Sequence, residues 1–177
     1  MSRAAPTLHT LLTLLALAAP ASAQTQSLGP HSHGAGTLDI AVQGNRLAME
    51  LRVPSADIVG FEYPPRSYDE NVAVTRAKRT LIGPLRLFVL PPAGCLLANV
   101  DVEQEFQTEA GGAAHSEFHA SYAFTCADPR AVTSIDFRFF QAFPATKIFN
   151  VRVIGERGQR NFKVERTRPE LDLDGAI

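Results

Sequence analysis

Hydrophobic and polar residues alternate with a period of two in several stretches of the chain after residue 36. The most regular stretch, residues 115–126, has aromatic and small apolar residues at its even positions and mostly polar residues at its odd positions. Successive side chains of a strand point to opposite faces, so this pattern predicts a strand with one buried and one polar face. His115, Glu117 and His119 then lie in line on the polar face.

Similar alternation predicts three strand pairs, which join residues 37–43 to 47–53, 96–106 to 116–126, and 147–154 to 159–165. The first pair is connected by Gly44-Asn45, a favoured two-residue hairpin loop. Its register sets Asp39 opposite Glu50, and directly opposed like charges destabilise a sheet. We therefore expect a base between them, with Arg52 as the nearest candidate, or alternatively a metal ion held with His31 or His33.

The remaining segments predict a surface helix and short connecting elements. Ser67 and Glu70 have the spacing of a capping box at a helix N-terminus, and Gly83-Pro84 ends the helix. Residues 54–66 are expected to form an irregular connection, and residues 85–90 and 133–140 to form short strands. The expected fold is mainly β: an antiparallel, β-sandwich-like single domain with one or two short surface helices.

The first residues have the pattern of a secretory signal peptide. Arg3 precedes an apolar run over residues 8–19, which is too short to span a bilayer, and an Ala-x-Ala sequence ends at Ala23. We expect a signal peptide over 1–23, a flexible histidine-containing arm over 24–36, a mainly β domain over 37–166 and a frayed tail over 167–177. The exported chain is then expected to be periplasmic, with no membrane span.

Charge and cysteine content narrow the class of protein. The formal net charge is −1, which argues against nucleic acid as a partner. Cys95 and Cys126 are the two cysteines of the chain, and in an exported protein they predict one disulfide rather than a thiolate metal site. No nucleophile elbow, phosphate loop or dinucleotide fingerprint is present in the sequence, so we do not expect an enzyme.

The histidines beyond residue 23 lie in two short clusters, His31 with His33 and His115 with His119. Neutral imidazole suits zinc, and three or four imidazoles with a carboxylate make a plausible zinc site. We predict His31, His33 and His119 as ligands, because an ion would order the glycine-rich arm and His119 lies well inside its strand. His115 or Glu117 is the fourth candidate. Ordinary surface histidines on a solvated strand face are the alternative.

Several short motifs occur in one order along the chain. They are His31-Ser32-His33-Gly34, Val59-Gly60-Phe61-Glu62, Gly94-Cys95, His115-x-x-x-His119-x-x-Tyr122-x-Phe124-x-Cys126 and Ala142-Phe143-Pro144. Together they resemble the ZrgA-like family of exported zinc-binding proteins, over nearly all of the chain beyond the predicted signal peptide. The resemblance implies a periplasmic zinc-binding accessory protein that acts in zinc acquisition, with a component of a zinc importer as candidate partner. A metal-independent exported protein-interaction domain is the alternative.

The chain departs from the family pattern at one place. Members of the family commonly carry a long tract rich in histidine and aspartate just before the position of His115. Residues 107–114 occupy that place here and contain no histidine. Low-affinity scavenging of several ions through such a tract is therefore not expected in this chain, whereas a single ordered site is compatible with its sequence.

Overall fold

A six-stranded sheet and a smaller three-stranded sheet enclose the core of the computed structural model, which describes residues 32–108 and 114–177. The large sheet has the order β4-β5-β2-β1-β7-β8, with β1 Ala35–Gln43, β2 Arg46–Pro54, β4 Leu96–Thr108, β5 Ala114–Thr125, β7 Ile148–Gly155 and β8 Gly158–Glu165. The small sheet has the order β3-β6-β9, with β3 Phe88–Val89, β6 Ser134–Phe137 and β9 Glu170–Asp172. The helices are α1 Ser55–Val59, α2 Tyr68–Leu81, α3 Pro84–Leu87, a 3-10 helix Pro129–Ala131 and α4 Phe139–Ala142.

The expectation of a mainly β single domain is confirmed, but the large sheet is not purely antiparallel. β1 and β7 run parallel, with Leu38 opposite Val151. The chain between them forms most of the fold, so no tight hairpin forces these two strands to be antiparallel. The short helices also outnumber the one or two that the sequence predicts.

The register predicted for the first hairpin and the pairing predicted for the last one are confirmed. Ile40 lies opposite Met49 in the first hairpin and Val151 opposite Phe162 in the last. The antiparallel pair of β4 and β5 contains a register shift between Leu97 and Asn99. The shift inverts the alternation in the first residues of β4, and Leu96 is therefore 74% exposed.

The core lies between the two sheets and is rich in aromatic residues. Rings from the small sheet and α4 pack around one ring of β7, with the Phe139 and Phe149 centroids 5.0 Å apart and those of Phe88 and Phe137 5.3 Å apart. Tyr122 of β5 is buried and donates a hydrogen bond from its hydroxyl to the carbonyl of Leu81 at 2.9 Å. Burial of each such side chain contributes about 1.5–3 kcal/mol. The contacts of Tyr122 also fix the end of α2 against the large sheet.

Local sequence signals predict α2 correctly, but they give wrong predictions for residues 54–66 and 85–90. The Ser67 side chain accepts from the Glu70 N–H and the Glu70 carboxylate accepts from the Ser67 N–H, which confirms the capping box. The connection predicted over 54–66 begins with a helix, α1. The segment predicted as a strand over 85–90 is mostly helix α3, because Pro84 suits the first position of a helix.

Both predicted loose ends of the domain are better ordered than expected. Residues 167–177 are not a frayed tail, because β9 pairs with β6 and Leu171, Leu173 and Ala176 are buried. The end of the expected arm is likewise fixed, since β1 begins at Ala35. The rest of the arm and the predicted signal peptide lie outside the described residues.

The disulfide between Cys95 and Cys126 is confirmed. It links the loop before β4 to the end of β5 across a sequence separation of 31 residues. In the chain-entropy model a loop of this size stabilises the fold by about 3–4 kcal/mol. In the part of the chain that the structure describes, no helix is both long and apolar enough to cross a membrane.

Candidate metal centre

One histidine from each of the two clusters of the sequence lies at the carboxylate of Glu62. His115 Nδ1 lies 2.7 Å from Glu62 Oε2, and His33 Nδ1 lies 3.8 Å from Glu62 Oε1. His33 is in the turn before β1, His115 is near the start of β5, and Glu62 follows α1, which packs against β5. We call His33, Glu62 and His115 the Glu62 cluster.

The Glu62 carboxylate is not fully hydrogen-bonded by the described residues. Its side chain is 13% exposed, and its Oε1 is buried without a hydrogen bond from any described residue. A buried polar atom without a partner costs about 1–3 kcal/mol. Donation from a neighbour, or a bound cation, would remove this cost.

The donor set of the Glu62 cluster fits zinc. Imidazole nitrogen and carboxylate oxygen bind Zn²⁺ at about 2.0–2.2 Å, so two donors of a tetrahedral site lie about 3.3 Å apart. The two donor separations at Glu62, 2.7 and 3.8 Å, bracket that spacing. Small side-chain movements would bring both imidazoles and the carboxylate onto one ion.

Hydrogen bonds at Gly34 fix the backbone next to His33. The Gly34 N–H donates to Asp57 Oδ2 at 2.7 Å, and the Gly34 carbonyl accepts from the N–H groups of Lys147 at 2.8 Å and Ile148 at 3.0 Å. Gly34 has φ +83°, a backbone conformation that residues other than glycine rarely adopt. Burial raises the pKa of the Asp57 carboxyl, and the Gly34 hydrogen bond opposes this rise. These contacts present His33 to Glu62.

His119 lies in a separate network on the polar face of the sheet. Its Nδ1 is 3.0 Å from Glu105 Oε1 and its Nε2 is 2.8 Å from Glu50 Oε2. Four residues of strand separate its Cα from that of His115 by about 13 Å. The structure thus brings His33 to His115 and places His119 elsewhere, while His31 lies outside the described residues.

Glu117, the other candidate ligand, is engaged by Arg52. Arg52 Nη1 donates to Glu117 Oε1 at 2.6 Å and to Glu105 Oε2 at 3.1 Å, and the Glu117 side chain is 3% exposed. Burial lowers the pKa of the Arg52 guanidinium, but the two hydrogen bonds outweigh it and raise the pKa overall. Burial likewise acts to raise the pKa of Glu105, and the hydrogen bonds from Arg52 and His119 lower it overall.

Arg52 therefore does not neutralise the opposed pair of Asp39 and Glu50, which was the expectation from the sequence. Asp39 and Glu50 are opposite each other as predicted. Arg152 of the neighbouring strand β7 donates from Nε to Asp39 Oδ1 at 3.0 Å and also from Nη2 to Oδ2. The base was missed because the pairing of β1 with β7 cannot be read from the sequence of either hairpin.

Sequence reasoning also missed Glu62 as a candidate ligand. The motif Val59-Gly60-Phe61-Glu62 carries part of the family resemblance, and it was the available signal. Among residues 32–108 and 114–177, no three or more histidine, cysteine or acidic side chains are arranged to hold a metal ion as they stand. Ligation by His31, His33, His119, His115 or Glu117 thus stays a prediction.

Comparison with known protein families gives one match. The sequence model described as ZrgA family zinc uptake protein matches residues 30–173, which is most of the chain and includes both histidine clusters and Glu62. None of the curated protein sequences matches the chain.

Proposed function

Because the chain belongs to the ZrgA family of zinc uptake proteins, we propose that it binds one zinc ion at the Glu62 cluster and delivers it during zinc uptake. One observation carries the proposal. The partly buried Glu62 carboxylate contacts two imidazoles, and its buried Oε1 lacks a hydrogen bond from any described residue. A bound zinc ion would give this oxygen a partner, and imidazole nitrogen and carboxylate oxygen are donor types that zinc prefers.

The proposed ligands are His33, Glu62 and His115, with His31 as the fourth. His31 is two residues before His33, so a short arm can bring both imidazoles to one ion. Four nitrogen and oxygen donors complete a closed tetrahedral site. This set keeps His31, His33 and His115 from the sequence prediction, adds Glu62, and omits His119 and Glu117.

The proposed place of action is the periplasm, and the proposed role is binding and delivery rather than catalysis. The predicted signal peptide supports export, and the Cys95–Cys126 disulfide suits an oxidising compartment. A component of a zinc importer is the proposed recipient of the ion.

Zinc is expected to raise the melting temperature of the protein purified without a histidine tag. A ligand that binds only the folded state stabilises it by about 2.7 kcal/mol at a free concentration a hundredfold above its dissociation constant. Magnesium is the matched control, because this hard ion prefers oxygen donors and keeps its waters. The shift should weaken at acidic pH, because zinc binds deprotonated ligands and its affinity therefore depends on pH. An unchanged melting temperature with zinc would favour the metal-independent interaction domain.

Replacing Asp57 by Ala is expected to weaken zinc binding about tenfold, in the range seen when groups that position metal ligands are lost. The change removes the acceptor of the Gly34 N–H and releases the turn that presents His33. Asp57→Asn keeps an oxygen that can accept this hydrogen bond, so it should retain most of the affinity. Calorimetric titration with zinc measures both variants. Equal loss in Asp57→Ala and Asp57→Asn would assign the effect to charge rather than to positioning.

A further inference from the structure

His119 has a carboxylate at each ring nitrogen. Glu105 contacts Nδ1 at 3.0 Å and Glu50 contacts Nε2 at 2.8 Å, and Glu50 Oε2 also accepts from the Ser121 hydroxyl at 2.6 Å. We call Glu50, Glu105, His119 and Ser121 the His119 cluster. It lies on the polar face of β2, β4 and β5, away from the core.

A neutral His119 ring has too few N–H groups to donate to both of the carboxylates that it contacts. A neutral imidazole carries one N–H, and its second nitrogen is an acceptor. Ionised carboxylates are acceptors only. With two carboxylates in contact, one nitrogen of a neutral ring would direct its lone pair at an oxygen lone pair. A positive species, either a second proton or a metal ion, is therefore needed beside one of the two nitrogens.

The geometry indicates which of the two His119 ring nitrogens lies beside the positive species. Arg52 Nη1 donates to Glu105 Oε2 at 3.1 Å, which holds Glu105 as an anionic acceptor next to Nδ1. An Nδ1–H donated to Glu105 leaves the lone pair of Nε2 directed at Glu50. A histidine that donates one ring N–H to a carboxylate while its other nitrogen binds a metal is the usual arrangement at metal centres.

The surroundings favour a cation at this position. Glu103 lies directly across from His119 on β4, and Asp101 lies across from Ser121. Two more carboxylates therefore border the His119 cluster, while Arg52 is the base that lies opposite His119 on β2. The excess of acid raises the local concentration of cations.

We propose that His119 Nε2 and the Glu50 carboxylate form a second divalent-cation site of the zinc class, with Glu105 as the residue that orients the ring. The His119 side chain is 23% exposed and that of Glu50 47% exposed, so solvent reaches the site. With two protein ligands, its other coordination positions are open to water or to ligands of a partner. Such a site exchanges its ion readily, which suits loading of zinc, whereas the four ligands proposed for the Glu62 cluster bind the ion more tightly until it is delivered.

The test counts zinc bound at equilibrium by dialysis in four proteins: wild type, Glu62→Gln, Glu50→Gln and the double variant. We expect two, one, one and no zinc ions respectively. Glu156→Gln is the matched control, because it removes one carboxylate in the turn between β7 and β8, outside both clusters, and should retain both ions. Two ions kept by Glu50→Gln would overturn the second site.

The same counts separate this proposal from the function proposed above. One ion in wild type that is lost in Glu62→Gln and kept in Glu50→Gln would refute the second site alone. One ion that is lost in Glu50→Gln and kept in Glu62→Gln would support the second site and refute the Glu62 cluster. In nitrogen NMR spectra of the imidazoles, zinc should shift the His119 Nε2 resonance. A doubly protonated ring that zinc does not alter would assign the positive species to a proton and refute the site.

Discussion

Replacing Glu62 by Gln is expected to weaken zinc binding by about a hundredfold or more, which corresponds to about 2.7 kcal/mol. The substitution keeps the size of the side chain and removes its negative charge. It leaves His33 and His115 without the carboxylate that joins them, and an amide is a poor ligand for zinc compared with a carboxylate. Calorimetric titration of wild type and variant with zinc measures the change.

Glu156→Gln is the matched control for this prediction. Glu156 lies in the turn between β7 and β8, at the opposite end of β7 from the strand residues that neighbour Gly34. It loses the same charge and should bind zinc as tightly as wild type. Wild-type affinity in Glu62→Gln would show that the ion is held elsewhere.

Replacing Arg52 by Ala is expected to lower the free energy of unfolding by about 3 kcal/mol, as for buried ion pairs that lose one member. The change removes the guanidinium from the buried Glu117 carboxylate and from Glu105, which Arg52 contacts at 2.6 and 3.1 Å. The Glu117 side chain is 3% exposed, and a hydrogen bond from a charged donor to a deeply buried carboxylate is among the strong kinds, so its loss is costly. Urea denaturation at neutral pH measures the loss.

Arg152→Ala is the matched control, since it also removes an arginine that bonds a carboxylate on the same face of the sheet. Both members of the Arg152–Asp39 pair are 40% exposed. Exposed pairs contribute about 0–1 kcal/mol, so a small loss is expected. Equal losses in the two variants would show that the burial of Glu117 does not set the cost.

The parts of the fold that depend on local pattern could be predicted from the sequence. Strand alternation and the Gly44-Asn45 turn determined the register of the first hairpin, and Ser67 with Glu70 marked the start of α2. These signals act between residues that are near in sequence. The register shift between Leu97 and Asn99 was not predicted, because an irregularity in a strand depends on how its partner strand packs.

The parts that depend on contacts between distant segments could not be predicted. The parallel pairing of β1 with β7 joins residues more than a hundred positions apart, and it decides that Arg152 neutralises Asp39. The tail looked polar because Leu171 and Leu173 are separated by acids, and its strand needs β6 as a partner. Neither pairing has a local signature.

The sequence predicted that histidines form the candidate site, but it did not predict which of them lie together. The sequence showed that histidine is concentrated in two clusters, and the structure brings the members His33 and His115 to Glu62. A helical turn at 55–59, which the prolines and glycines around it concealed, carries the chain back so that Glu62 reaches β5. His119 lies well inside its strand as predicted, but its ring nitrogens contact Glu105 and Glu50 and not the Glu62 cluster.

Anomalous diffraction at the zinc absorption edge, from crystals of the mature protein grown with zinc, tests the central claim most directly. We expect a peak about 2.0–2.2 Å from a Glu62 carboxylate oxygen and from imidazole nitrogens of His33 and His115. A second, weaker peak at His119 would agree with the further inference. Zinc-containing crystals in which these three side chains have no peak between them would contradict the proposed site.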